Sequence, residues 1–70
     1  MKNYGKVIEY NGIYGKIKGV DGTEYKLLDK NIIDKNISPS DYVTFENQFF
    51  KTPEIEINIA KFVKILKKEK

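Results

Sequence analysis

The sequence predicts an all-β fold, a small antiparallel barrel of five strands. Two pairs typical of tight hairpins, Asn11-Gly12 and Asp21-Gly22, each separate two segments in which polar and apolar residues alternate. For Asn11-Gly12 the pair indicates a type I′ turn, in which both central residues have positive φ. Short strands at such spacing are typical of closed barrels, because closure removes the exposed edges of a small sheet.

Turn-forming residues divide the chain into five strands. They are expected near residues 3–10, 13–20, 23–28, 41–47 and 54–64. The longer connection between the third and fourth strands contains Ile32, Ile33 and Ile37, which a short helical turn at residues 31–35 would place over one end of the barrel. The last break is expected at residues 47–53.

Alternation along the second strand gives its two faces different chemistry. Tyr14, Lys16 and Lys18 share one face, and the residues between them are small or apolar. In the first strand the adjacent Val7 and Ile8 interrupt the alternation, which a β-bulge would restore. A simply exposed Ile8, or a strand buried on both faces, are the alternatives.

The other strands also alternate. Apolar residues two positions apart share a face in the third, fourth and fifth strands: Tyr25 and Leu27; Val43 and Phe45; Ile55, Ile57 and Ile59. Val43 and Phe45 are expected to point inward, and Tyr42 and Thr44 outward. In the third strand Lys26 lies on the face opposite Tyr25 and Leu27, together with Glu24 and Leu28.

The C-terminal segment allows two interpretations. Phe62, Ile65 and Leu66 would share one stripe of a helix, whereas the preceding strand can equally continue through this region. We expect a strand to about Ile65. The domain then comprises residues 1–66, and residues 67–70 form a mobile, Lys-rich tail.

Charge is unevenly distributed along the chain. Through Ala60, eight Lys oppose nine Asp and Glu, a net charge of −1, whereas the last ten residues carry five Lys and one Glu, a net charge of +4. Every basic residue is Lys. Because bidentate reading of base edges is mostly done by Arg, sequence-specific recognition of a duplex loses support. Codon bias in an AT-rich genome explains the Lys usage equally well.

Composition also disfavours several classes of function. At 70 residues the chain is one domain with a thin core, and it contains neither Cys nor His. Ser-His and Cys-His catalysis are thereby excluded, and the carboxylates are scattered singly, mostly at turns. We therefore expect no enzymatic activity, no metal and no cofactor. Since no apolar run approaches a membrane span or a signal peptide, a cytoplasmic protein is expected. We also expect a monomer.

Five short motifs follow one another at spacings that are typical of a known family. They are Gly5-Lys6-Val7 with Tyr10-Asn11, Tyr14-Gly15-Lys16-Ile17, Asp21-Gly22-Thr23-Glu24-Tyr25, Ser40-Asp41-Tyr42-Val43-Thr44-Phe45, and Asn58-Ile59. Together they resemble the cold-shock domain, a five-stranded member of the OB-fold group. The resemblance covers roughly residues 4–66. It implies a barrel that binds single-stranded RNA or DNA through rings and lysines on its second and third strands.

The departures from the family pattern fall on that binding face. Glu9 occupies the family's tryptophan position, and Lys16 occupies that of the second aromatic residue in the first motif. Lys26-Leu27-Leu28 replaces a stretch that carries two aromatic residues and a histidine, whereas Tyr10 and Tyr14 remain aromatic. Stacking is worth about 1–3 kcal/mol per base, so fewer rings imply weaker binding. Lysines partly offset the loss through a charge term that is insensitive to sequence.

We therefore expect weak, sequence-tolerant binding of single-stranded RNA or DNA through a Tyr/Lys face. Its residues are Lys6, Tyr10, Tyr14, Lys16, Lys18 and Lys26. The competing interpretation is an ordinary solvated strand face, with Tyr14 packed on a neighbouring aliphatic chain. Glu9 disfavours nucleic acid because a carboxylate repels phosphates.

Phe49-Phe50, expected in the loop between the fourth and fifth strands, is a second candidate site. These rings either extend the stacking surface, anchor a protein partner, or close the mouth of the barrel as part of the core. The alternative function is accordingly a protein-interaction or accessory module that keeps the barrel and has lost nucleic-acid binding.

Overall fold

The computed structural model describes residues 2–68, which form a closed five-stranded barrel with one short 3-10 helix at Asp29–Asn31. The strands are β1 (Asn3–Tyr10), β2 (Tyr14–Gly19), β3 (Glu24–Leu28), β4 (Tyr42–Lys51) and β5 (Glu56–Lys67). They are ordered β1-β2-β3-β5-β4, and β4 closes the barrel by pairing with β1. The predicted fold class is confirmed: the chain is an all-β, OB-fold-like small barrel.

One pair of neighbouring strands runs parallel. β3 and β5 meet at Lys26 and Ile59, and the other neighbouring pairs are antiparallel. The connection from β3 to β4 crosses one end of the barrel, where Ile32 and Ile37 are buried and Ile33 is half exposed. The 3-10 helix that begins this connection lies earlier than the helical turn expected at residues 31–35.

Both hairpin turns depend on a glycine and on the polar side chain before it. Gly12 and Gly22 have φ values of 96° and 89°, a region that residues with a Cβ rarely occupy. Asn11 does not have positive φ, so the expected type I′ turn is wrong. Instead, Oδ1 of Asn11 accepts hydrogen bonds from the N–H groups of Ile13 and Tyr14, both at 2.9 Å. The Asn11 side chain thus forms an Asx-type turn by accepting the N–H two residues on.

β1 contains the bulge that its adjacent apolar residues predicted. Val7 pairs with Ile17 and Glu9 pairs with Lys16, so Ile8 is the extra residue. Val7 is fully buried, and Ile8 is exposed. The bulge returns the strand to its alternation, with the result that Glu9 lies beside Lys16.

The core is formed by apolar side chains from all five strands and from the β3–β4 connection. They are Val7, Ile17, Tyr25, Leu27, Ile32, Ile37, Val43, Phe45, Ala60 and Val63. The inward positions predicted on β4 are confirmed, but Thr44, expected to face outward, is also buried. In β5, Ala60 and Val63 fill the core, whereas Ile55 precedes the strand and is exposed.

β4 and β5 continue beyond the barrel as a two-stranded arm, residues 46–58. β1 pairs with β4 only up to Phe45 within the described residues, and residues 46–51 are all exposed. The break expected at residues 47–53 is therefore wrong. Asn47 is accommodated in a strand because its Nδ2 donates a hydrogen bond across the arm to Oδ1 of Asn58. The turn is at residues 52–55, where the N–H of Thr52 donates to the carbonyl of Ile55.

The C-terminal segment is a strand, and it extends further than expected. β5 continues through Lys67, with a bulge where Phe62 adopts a φ of 54°. Nζ of Lys68 lies 2.7 Å from Oδ2 of the buried Asp41 and 2.7 Å from the carbonyl oxygen of Asn36. Lys67 and Lys68 thus belong to the fold, and the rest of the expected tail, residues 69–70, lies outside the described residues.

Candidate nucleic-acid interface

The outer face of β2 and β3 brings together four of the six predicted residues. Tyr14, Lys16 and Lys18 are exposed, and they alternate with the buried residues of β2. Lys26 is exposed on β3, next in the barrel. Strict alternation in both strands is what turns one side toward the core and leaves these four side chains accessible.

Lys16 and Lys26 are directly opposite each other in the β2–β3 ladder. Residues in this relation have Cβ atoms about 4.5–5.5 Å apart, and like charges placed there destabilise a sheet. Within residues 2–68, neither ammonium group forms an ion pair with a carboxylate. The pair is therefore an unfavourable arrangement for the isolated protein, and a bound anion would relieve it. Real proteins break one or two local rules of this kind at functional sites and compensate elsewhere.

Tyr14 presents an accessible ring from a fixed backbone. Tyr14 is 57% exposed, and the residue opposite it on β3 is Leu28. The N–H of Tyr14 donates to Oδ1 of Asn11, and its carbonyl accepts the N–H of Asn11 at 3.1 Å. Because the turn holds both backbone groups, the ring projects from an ordered position. An exposed ring of this kind can stack on a base of any identity.

A depression of about 250 Å³ lies at this face. Its charged lining residues are Lys16, Lys26, Glu9, Glu24 and Glu56. Two ammonium groups and three carboxylates give this lining a net charge of −1. The field at the depression is therefore mixed, and it attracts phosphates less than the lysines alone would.

Lys6 and Lys18 form a second row on the outer surface. They are directly opposite each other in the β1–β2 ladder, and Lys18 is opposite Glu24 on β3. On its other side Lys6 pairs with Tyr42 of β4, and its Nζ lies 5.4 Å from the centroid of that ring. Lys6 makes a cation–π contact there, away from Lys16 and Lys26.

Tyr10 lies apart from the exposed face. Its ring is partly buried against the core, and its hydroxyl donates a 3.2 Å hydrogen bond to Oδ1 of Asp29. Burial, and then the negative charge of Asp29, raise the pKa of the Tyr10 phenol above its ordinary value. Nζ of Lys35 binds the carbonyl oxygen of the same Asp29 at 2.7 Å. Tyr10 thus packs the barrel and anchors the start of the 3-10 helix.

Phe49 and Phe50 lie on β4 within the arm and not in a loop. Adjacent residues of a strand point to opposite faces, and these two are paired with Asn58 and Ile57 respectively. Their side chains are 50% and 48% exposed. Neither ring closes the barrel mouth, so the interpretation as core is wrong.

Sequence reasoning missed an exposed surface at β1, β4 and the end of β5. Tyr4, Tyr42 and Leu66 are exposed there, and with Val20 and Lys67 they line an open depression of about 670 Å³. Tyr42 is predicted by alternation to face outward, but only the long-range register places it between β1 and β5. Tyr4 and Lys6 are two positions apart on β1 and so share its outer face, and this spacing is the available sequence signal.

Residues 2–68 contain neither a metal-binding cluster nor a membrane-spanning helix. No group of three or more acidic residues there is placed to hold a metal ion. The same part of the chain contains no helix whose length and apolar character would let it span a membrane.

Comparisons with protein-family models, curated proteins and solved structures find no match for this chain. The resemblance to the cold-shock domain therefore rests on the sequence motifs. The closed order of the five strands agrees with the fold that the resemblance implies.

Proposed function

We propose that the protein binds single-stranded RNA or DNA, weakly and with little sequence preference, through the outer face of β2 and β3. The observation that carries this proposal is the cross-strand pair of Lys16 and Lys26 beside the exposed Tyr14. A polyanion relieves the repulsion between the two ammonium groups, and the ring provides a surface for a base. The protein acts by stoichiometric binding, as a cytoplasmic monomer and without catalysis.

The same surface accounts for the weak affinity that we expect for single-stranded RNA or DNA. The chain has no Arg, so phosphates meet single-point ammonium contacts and not bidentate ones. Glu9 is directly opposite Lys16 on the side away from Lys26, and this carboxylate opposes phosphate binding. The protein would accordingly be a divergent relative of cold-shock domains in which charge replaces most of the stacking.

Salt dependence follows from the number of lysines in contact. Each phosphate contact on a single strand contributes a slope of about −0.7 to the logarithm of affinity against the logarithm of salt concentration. Two to four contacts therefore predict a slope between about −1.4 and −2.8. Binding should be measurable at low salt and largely lost at moderate salt.

A fluorescence titration with labelled oligothymidine at several salt concentrations tests the proposal. Tyr14→Ala is expected to weaken binding by about 1–3 kcal/mol, the value of one stacked base. Phe62→Ala is a matched control because Phe62 is 56% exposed, almost as much as Tyr14, but lies on β5. Absence of binding by the wild-type chain at low salt would remove the proposal, as would equal effects of the two variants.

The arm favours a second candidate function, a protein-interaction module. Phe49, Phe50 and Ile55 expose apolar surface on a hairpin that projects past the barrel. Single exposed apolar residues are ordinary, but three on one arm favour a docking element. This function requires that Phe49→Ser/Phe50→Ser abolish retention of a specific partner, and that the wild-type chain fail to bind oligothymidine.

A further inference from the structure

We infer that the bound strand continues from β2 around the barrel onto β1, β4 and the C-terminal end of β5. The inference rests on the proposed function and adds a second subsite for the same ligand. One row of outward-facing residues crosses β5, β4, β1 and β2, and each residue is directly opposite the next. In that order the residues are Lys67, Tyr42, Lys6 and Lys18. Strands are about 4.8 Å apart, so the row spans about 14 Å, enough for about four nucleotides at the spacing of stacked bases.

The second subsite offers rings on which bases can stack. Tyr4 and Tyr42 are exposed, and with Val20, Leu66 and Lys67 they line the open depression of about 670 Å³. The Lys6 ammonium group, 5.4 Å from the centroid of the Tyr42 ring, adds positive charge beside it. Rings flanked by ammonium groups are the usual combination for sequence-tolerant binding of single strands.

Charge at this subsite is more favourable than at the β2–β3 depression. Among residues 2–68, no carboxylate lines the depression beside Tyr42, whereas three line the one beside Lys16. Asp21 follows the exposed Val20 in the chain and carries a negative charge, but it lines a neighbouring depression and not the one beside Tyr42. Asp41 precedes Tyr42 but is buried and paired with Lys68. At the β4–β5 end of the row phosphates therefore meet Lys6 and Lys67 with no carboxylate among the described lining residues, whereas Glu24, opposite Lys18, competes at the β2 end.

The charges also favour a polynucleotide over a second copy of the chain. A symmetric dimer places the same patch on both sides of the interface. Contact through this surface would bring Lys6 and Lys67 of one copy against the same lysines of the other. A polyanion instead neutralises them.

Oligothymidines of four and twelve nucleotides distinguish the subsites. Tyr42→Ala and Lys67→Glu are each expected to weaken binding of the twelve-mer roughly tenfold, and Lys67→Glu also reduces the salt slope by about 0.7. The effect on the four-mer is smaller, because one short strand cannot occupy both subsites. Lys64→Glu is the matched control, since Lys64 is exposed on the same strand but lies opposite Thr44.

The outcomes separate this inference from the proposed function. In one outcome, Tyr14→Ala weakens binding of the twelve-mer, whereas Lys67→Glu and Tyr42→Ala bind it with wild-type affinity. The second subsite is then refuted and the proposed function stands. If the wild-type chain binds neither oligonucleotide, both are refuted. Self-association that Tyr42→Ala abolishes, without any change in oligonucleotide affinity, would assign the surface to a second copy and overturn the inference.

Discussion

Lys26→Glu is predicted to raise the stability of the fold and to lower its affinity for nucleic acid. Lys26 is exposed and directly opposite Lys16, so the substitution replaces a repulsive cross-strand pair by an attractive one. Opposite charges in this relation contribute about 0.2–1 kcal/mol. Glu24, two residues away on the same face, offsets part of the gain. We expect the free energy of unfolding to rise by about 0.3–1 kcal/mol, and Tm by roughly 1–8 °C for a domain of this size.

The effect on binding has the opposite sign. The substitution removes one attractive ammonium group from the path of the phosphates and adds a repulsive carboxylate. A charge pair about 4 Å apart in water interacts by about 1 kcal/mol, so the two changes together cost about 1–2 kcal/mol. Affinity at low salt should fall roughly 5- to 30-fold, with a salt slope smaller by about 0.7.

The assay pairs denaturation with titration of one oligothymidine. Urea and thermal unfolding give the stability change, and fluorescence anisotropy at several salt concentrations gives the affinity and its slope. Lys64→Glu changes the net charge equally but lies opposite Thr44, so it should leave stability nearly unchanged and weaken binding less. A loss of stability in Lys26→Glu would refute the repulsion argued for the lysine pair. Equal effects of the two variants on affinity would refute the placement of the site.

Three further predictions concern the fold. Lys68→Ala should lower the free energy of unfolding, measured in urea, by about 1–3 kcal/mol, because it removes a charged hydrogen bond to Asp41, which is 1% exposed. An unchanged free energy of unfolding would contradict a structural role for this pair. Asp29→Asn should lower the pKa of Tyr10, read from its ring signals in a pH titration, although burial keeps that pKa above the ordinary value. Because folding raises the pKa of Tyr10, the contribution of this phenol to stability is complete below the ordinary value of 10.0. That contribution is lost as pH rises through the folded pKa, and Asp29→Asn should reduce the loss of stability at alkaline pH. Gly22→Ala should cost about 1–2 kcal/mol in urea denaturation, because its φ of 89° is unfavourable for a residue with a Cβ, and wild-type stability would refute the turn geometry.

Local patterns are sufficient to predict much of the barrel and one face of the candidate site. The alternation of β2 places Tyr14 and Lys16 on the outer face because neighbouring residues of a strand point in opposite directions. The break in alternation at Val7 and Ile8 predicted a bulge, since an extra residue is the simplest way to restore the pattern. These features depend on residues that are close in the sequence.

Long-range pairing explains what the sequence did not reveal. Local sequence predicts a break at Asn47, but in the arm its side chain hydrogen-bonds to Asn58, a partner that only the β4–β5 register identifies. The same register places Lys67 opposite Tyr42, which creates the second basic and aromatic surface. The Asn11-Gly12 pair is also compatible with two kinds of turn. It predicts a type I′ backbone, but in the structure the Asn11 side chain accepts a hydrogen bond from the N–H of Ile13.

Mapping of amide chemical shifts during addition of oligothymidine tests the central claim most directly. Perturbed amides are expected to concentrate in residues 14–18 and 24–28, with smaller changes in the arm. A twelve-mer should also perturb the amides of Lys6, Tyr42 and Lys67. Shifts confined to residues 46–58, or an unchanged spectrum at low salt, would contradict the proposed binding face.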